Sequence, residues 1–296
     1  MKILVEIPEL IDDAVMTTAA IENLLKHYKD AEVTFVGSQN SIELFKNNKR
    51  IKAFFAKNST NTIFSLVSLF LLARSFDDQD LVVSFQNSFF SKFFVYFISS
   101  QKKLNYFEND ENDENNHQVE KYNKFVNNIL QTNYKAGDLM LRFKPKWYKK
   151  PTFGIHPGSI YANKKRWSGK QFAKVAIALS VKYDIVLLGG KKELDICSVI
   201  EDELKANGIS NYQNLANKTT IEELVEKIAG LDLFLGIDCG PMQIAAIYRV
   251  NSIILPTSYS KIKQRNQWKN PLETIIYKNK DSNSVSCDDV LKRFKL

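Results

Sequence analysis

The chain has 296 residues, 44% hydrophobic and 25% charged, ordinary globular values that argue against a disordered, fibrous or integral membrane protein. A net charge of +8 points to an acidic partner and leaves nucleic acid, an anionic membrane and a phosphorylated substrate open. Three widely spaced cysteines, Cys197, Cys239 and Cys287, form no CxxC pair and support neither a disulfide framework nor a zinc site, so a reducing compartment is expected.

"KILVEI" (2–7) reads as a strand interrupted by Glu6, without the regions of a signal peptide, and the expectation is a cytoplasmic protein. A helix is expected over 13–28, then a strand at 32–37, a helix at 41–48 and a strand at 51–55. The helix expected over 62–74 contains the longest apolar run, "IFSLVSLFLLA", which is too short to span a bilayer. Asp78-Gln79-Asp80 has the residue types of a metal site but precedes strand 80–85, at the wrong end of a sheet for ligands. On a helix over 88–99, Phe89, Phe93 and Phe97 stand beside Phe90 and Phe94, either as core or partly as a lipid-facing patch. The polar stretch 108–118 reads as a solvated loop before a helix over 117–131.

"RFKPKWYKKP" (142–151), with two prolines and five basic residues, marks the boundary. Beyond it strands are expected at 152–157, 184–190, 231–236 and 251–256, with helices at 169–182, 192–206, 219–229 and 241–248. Ser286 caps a last helix. This βα alternation, repeated, predicts an α/β protein of two Rossmann-like domains with parallel sheets, over 1–145 and 151–285, followed by a C-terminal helix over 286–296.

In such sheets ligands collect beyond the carboxyl ends of the strands. "GIDCGPMQIAA" (236–246) stops between a strand and a helix: Gly240 allows close approach, Pro241 suits a helix start, and the N–H groups of Met242 and Gln243 are expected free for phosphate oxygens. Asp238 is placed to accept hydrogen bonds from a neutral polar group; an ordinary βα turn is the other reading. Pro157-Gly158-Ser159 forms a second small-residue turn, and Lys165 is a point charge for an anion or a solvated loop lysine. "GGKKE" (189–193) presents Glu193, suited to ribose hydroxyls. In "PELIDDAVMTT" (8–18), Asp12 reads as a helix N-cap, and Asp13 as a first-turn carboxylate or a general base. His27, His117 and His156 are dispersed without metal-ligand spacing, no serine nucleophile elbow is present, and no RNP, zinc-finger or helix-turn-helix signature points to nucleic acid.

Taken in order, "DDAVMTTAAIENL", "PGSIYANKKRW", "VLLGGKKE", "NLANKTTIEELVEKIAGLDLFLG" and "DCGPMQIAA" resemble the motifs of ADP-heptose:lipopolysaccharide heptosyltransferases, glycosyltransferase family 9, over nearly the whole chain. The resemblance implies a GT-B fold, two domains facing a cleft, and a metal-independent, inverting transfer of heptose from ADP-heptose to an acidic inner-core glycolipid, with no cofactor. It implies that Asp13 is the base, that Lys165 contacts the diphosphate, Glu193 the ribose and Asp238 the heptose, and that the helix opened by Gly240-Pro241-Met242 holds the pyrophosphate. Met16-Thr17-Thr18 and Lys165-Arg166-Trp167 look more like the branch adding the second heptose than the first. Asp12 stands where the family tends to have Gly, Cys239 where it has Ser or Thr, and Gln243 where it commonly has His. Those departures leave open another nucleotide-sugar transferase of the same fold, or a non-catalytic ADP-binding relative. An acceptor in the cytoplasmic leaflet implies peripheral membrane contact through basic residues.

Overall fold

The computed structural model describes residues 1–56, 63–107, 116–158, 167–256, 262–276 and 284–294. The chain divides into two units, Met1–Arg142 and Phe143–Leu296.

In the first unit β1 (Lys2–Glu6), β2 (Glu32–Gly37), β3 (Ile51–Ala56), β4 (Gln79–Ser84) and β5 (Ser100–Asn105) form a parallel sheet in the order β3-β2-β1-β4-β5. Its middle strands are continuous apolar runs because both faces of a parallel sheet are covered. Leu4, Val36 and Val82 pack with α4 (Ile63–Arg74) and α5 (Phe89–Phe97) through Leu69, Ala73, Phe94 and Val95. Ile3, Val5 and Phe35, the alternate residues, are buried on the opposite face.

The helix expected over 13–28 is broken into α1 (Ile11–Met16) and α2 (Thr18–His27). The hydroxyls of Thr17 and Thr18 donate to Ala14 O and Val15 O, each at 2.7 Å, and such back-bonding competes with the helical ladder. Short α3 (Gln39–Glu43) follows β2. α6 (Gln118–Leu130), capped by His117, packs on α2, where Asn23 Nδ2 donates to Asn123 Oδ1 at 2.7 Å.

The second unit holds six parallel strands in the order β11-β10-β9-β6-β7-β8. In chain order its elements are β6 (Thr152–His156), α7 (Gly169–Leu179), β7 (Asp184–Leu187), α8 (Leu194–Ala206), β8 (Tyr212–Asn214) and α9 (Ile221–Ala229). They continue with β9 (Leu233–Ile237), α10 (Gly240–Ile247), β10 (Asn251–Leu255), α11 (Ile262–Arg265), β11 (Glu273–Ile275) and α12 (Cys287–Arg293). Phe153, Ile155, Leu187, Leu235 and Ile253 share one core with Phe172 and Val175 of α7, Ile200 of α8 and Val290 of α12. Ser168, Thr220 and Ser286 cap α7, α9 and α12, each side chain accepting the backbone N–H three residues on.

β5, β8 and β11 went unread in the sequence, and all three are edge strands. An edge strand has one neighbour and solvent on its flank, so "SQKKLN", "YQN" and "ETI" need no apolar run. No helix among the described residues is long and apolar enough to cross a membrane.

Candidate functional site

Strand order tells where each sheet opens. In the second unit the chain runs outward from β6 through β7 to β8, then returns to β9 and runs outward the other way, so the switch point lies between β6 and β9. Beyond the carboxyl ends of those strands lie His156-Pro157-Gly158 and Asp238-Cys239-Gly240, brought side by side by the register that pairs His156 with Gly236. Gly158 has φ +70°, a left-handed conformation that glycine adopts without penalty.

Cys239 Sγ lies 3.2 Å from His156 Nδ1 and 3.2 Å from Ile237 O, bridging the mouth of the switch point. His156 is almost wholly buried; burial lowers its pKa, against the Glu193 carboxylate, which acts in the opposite sense. Metal-ligand spacing does not single out this histidine. Its signal was position, at the end of the first strand of the unit.

α10 starts at Gly240 with Cys239 as N-cap, and Pro241 occupies the second helical position, where a missing N–H costs nothing. The N–H groups of Met242 and Gln243, expected free, are not: both point to Cys239 O, at 3.1 and 3.4 Å. The extended Cys239 turns its carbonyl into the first helical acceptor, which leaves the Gly240 N–H ahead of the first intrahelical bond. Gln243 is buried, and its Nε2 donates to Arg265 O at 2.9 Å and Asn266 O at 3.2 Å, tying α10 to the end of α11. Its Oε1 is buried with no partner among the described residues, an acceptor in search of a donor. Asp238 is half-buried, directly beyond β9.

β7 is followed by Leu188-Gly189-Gly190 and a 3₁₀ turn at Lys191–Glu193. Glu193 Oε2 accepts the Gly190 N–H at 2.8 Å, which folds the carboxylate back over the strand end and leaves a second oxygen for other donors. A Cβ on Gly189 would stand 2.5 Å from Glu193 Cβ, so only glycine permits this packing. Ser159 and Lys165, expected at this rim, lie outside the described residues.

The first unit has its switch point between β1 and β4. There Glu6, fully buried, accepts the hydroxyls of Ser84, at 2.6 Å, and of Ser91 on α5. Hydrogen-bond donors are what make a buried carboxylate tolerable. Gln86 Nε2 donates to Ile7 O at 2.9 Å, so the loops leaving β1 and β4 are held to each other. The β1 loop leads into α1, whose N-cap is Leu10 and not Asp12; Asp12 and Asp13 both lie in the first turn, half-buried. An Asp12 cap would start the helix at Asp13, and α1 starts two residues earlier, at Ile11. At the opposite end of the sheet Asp80 Oδ2 accepts the Lys2 N–H at 2.7 Å, which gives the Asp78-Gln79-Asp80 stretch a structural use.

The chain is similar to known proteins in sequence and in fold. The sequence profile of glycosyltransferase family 9 (heptosyltransferase) matches residues 70–292. The chain is 32% identical over 287 residues to lipooligosaccharide heptosyltransferase 2 of Campylobacter jejuni subsp. jejuni serotype O:2, covering 94% of this chain and 87% of that one. A family 9 glycosyltransferase structure from Veillonella parvula superposes with a TM-score of 0.85 at 16% identity, covering 99% of this chain and 96% of the other. The structure of the ADP-heptose lipopolysaccharide heptosyltransferase II of E. coli gives 0.81 at 19% identity, covering 100% and 98%.

Proposed function

Because the chain belongs to glycosyltransferase family 9, the heptosyltransferases, with two parallel-sheet α/β domains of the GT-B class, we propose that it transfers heptose from ADP-heptose to an acidic inner-core glycolipid of lipopolysaccharide or lipooligosaccharide. The observation that carries this reading is the glycine-opened tip of α10 at the β6/β9 switch point, inside the span that matches the family. The name of the Campylobacter relative supports the second heptose as the one added.

In the proposed reaction the acceptor oxygen attacks the anomeric carbon while the bond from that carbon to the diphosphate breaks, and ADP leaves from the opposite face. A single displacement of this kind inverts the anomeric centre. Asp13 takes the proton of the acceptor hydroxyl. Ser159, Lys165 and the tip formed by Gly240, Pro241, Met242 and Gln243 hold the donor diphosphate. The contribution of that tip is the helix dipole and the Gly240 N–H rather than the amides of Met242 and Gln243. Glu193 takes ribose hydroxyls and Asp238 takes heptose hydroxyls. Positive groups fixed where charge develops on the leaving diphosphate lower the barrier, so the proposal assigns that work to Lys165 and α10 and calls on no metal. The setting is the cytoplasmic face of the membrane, which carries the lipid-linked acceptor.

Incubation with ADP-heptose and two truncated acceptors, one without heptose and one bearing a single heptose, tests this by product mass. The proposal expects one heptose gained by the second acceptor alone, with EDTA present. Gain by the first acceptor alone would overturn the second-heptose assignment, and gain by neither would overturn the transfer itself.

A further inference from the structure

α4 and α5 cover one face of the first unit's sheet, and large side chains on their outer sides stay exposed. On α4, Val67 and Leu71 are 55% and 62% exposed, with Phe70 and Arg74 also exposed, at the i, i+3, i+4, i+7 spacing of a single stripe. On α5, Phe89 and Tyr96 are 67% and 73% exposed, with Lys92 between them on the same stripe. The helices touch through Phe70 and Phe97, ring centroids 5.0 Å apart, so the two stripes are neighbours. Lys103 on edge strand β5 reaches the same border: its Nζ donates to Tyr96 O at 2.7 Å and lies 6.0 Å from the Tyr96 ring centroid.

Large apolar side chains left in water on adjacent stripes are unusual for a surface that meets only solvent. We infer that this α4–α5 face is a docking surface for an anionic lipid bilayer. Its charge selects that occupant. "IFSLVSLFLLAR" and "FFSKFFVYF" contain no Asp or Glu, and the basic Arg74, Lys92 and Lys103 border the apolar stripes. The acids that follow α4 begin at Asp77, which is paired with Lys2 at 2.9 Å. Two copies meeting through this face would bring like charges together, whereas lipid phosphates complement them and acyl chains receive the aromatic and aliphatic tips. Phe89, Tyr96 and the lysines would lie at headgroup level, with Val67 and Leu71 reaching deeper. The inference rests on the proposed function only in supplying a reason for the contact, since a lipid-linked acceptor must be met at a membrane.

The test is flotation of the full chain with vesicles of phosphatidylcholine alone and with phosphatidylglycerol added. The expected result is capture by the anionic vesicles that weakens with salt. Capture should fall about tenfold or more in a Val67→Ser, Leu71→Ser, Tyr96→Ser variant, and also in a Lys92→Glu, Lys103→Glu variant, which reads whether these lysines outweigh the acid-rich 108–118 stretch. Both variants alter exposed positions outside the proposed active site, so turnover on a deacylated, water-soluble acceptor should match the parent, and melting temperature checks that loss of the Lys103–Tyr96 bond leaves the fold intact. Capture unchanged in both variants, equal capture by neutral vesicles, or none by either would overturn the inference. So would a concentration-dependent dimer of the parent that the triple variant abolishes, which would give the face to a second copy. Vesicle capture by a parent chain that transfers no sugar would support the surface and count against the transferase reading alone.

Discussion

Asp13 lies in the first turn of a six-residue helix, the third residue after its cap. A carboxylate there faces the positive end of the helix whether or not it moves a proton, so position alone does not make it a base. Asp13→Asn keeps the shape and removes the proton acceptor. Turnover should fall about 100-fold or more while ADP affinity stays within about twofold, as calorimetry and initial rates would read. Unchanged turnover would return Asp13 to a structural role. Glu273 offers a second test, of stability rather than catalysis. Burial raises its pKa from 4.5 to about 7, the Gln267 N–H opposing the shift through a 2.8 Å bond. Glu273 therefore holds its proton more tightly folded than unfolded. The stability this brings is complete below about pH 4.5 and is lost as pH rises through about 7. Glu273→Gln should remove that component, giving a flatter dependence of melting temperature on pH between 5 and 8 than the parent. An identical slope in both proteins would contradict the assignment. The turns at the rims were legible in the sequence, since Gly and Pro between an apolar run and a helical pattern mark the passage from strand to helix. Hydrogen-bond partners were not. The amides of Met242 and Gln243 are satisfied by Cys239 O because Cys239 is extended, and no residue type announces that.

Elements were read best where packing and capping agree. "TIEELVEKIAG" yields α9 because Thr220 accepts the Glu223 N–H at 3.2 Å and the Glu223 carboxylate accepts the Thr220 N–H at 2.9 Å, while Val225 and Ile228 face the core. Thr220→Ala should cost about 1 kcal/mol, seen as a lower urea midpoint at unchanged slope. No change would mean that packing alone sets where α9 begins. The strands that escaped notice lack what made the others visible. β9 is buried along its length, "LFLGI", whereas β5 is "SQKKLN" and exposes Gln101, Lys102 and Lys103. A sequence records which side chains leave water, and an edge strand is held mainly by backbone bonds to its one neighbour. The break at Thr17 escaped for a related reason: threonine is compatible with a helix, and only its hydroxyl's choice of Ala14 O bends the chain.

At the scale of the whole molecule, there are two sheets, each with its own switch point, and the proposal gives separate tasks to the two halves of the sequence. Family membership supplies the expected chemistry, and the β6/β9 switch point is the place proposed for the diphosphate. Cys239 is a reporter already in that place: it is half-buried at the tip of α10, while half-buried Cys287 heads α12 and Cys197 is buried, with its pKa raised to about 12 by that burial. Thiol alkylation followed by peptide mass mapping, with and without saturating ADP, locates the nucleotide directly. The account predicts that ADP slows labelling of Cys239 and leaves Cys287 unchanged. Labelling of Cys239 at the same rate with ADP bound would contradict it.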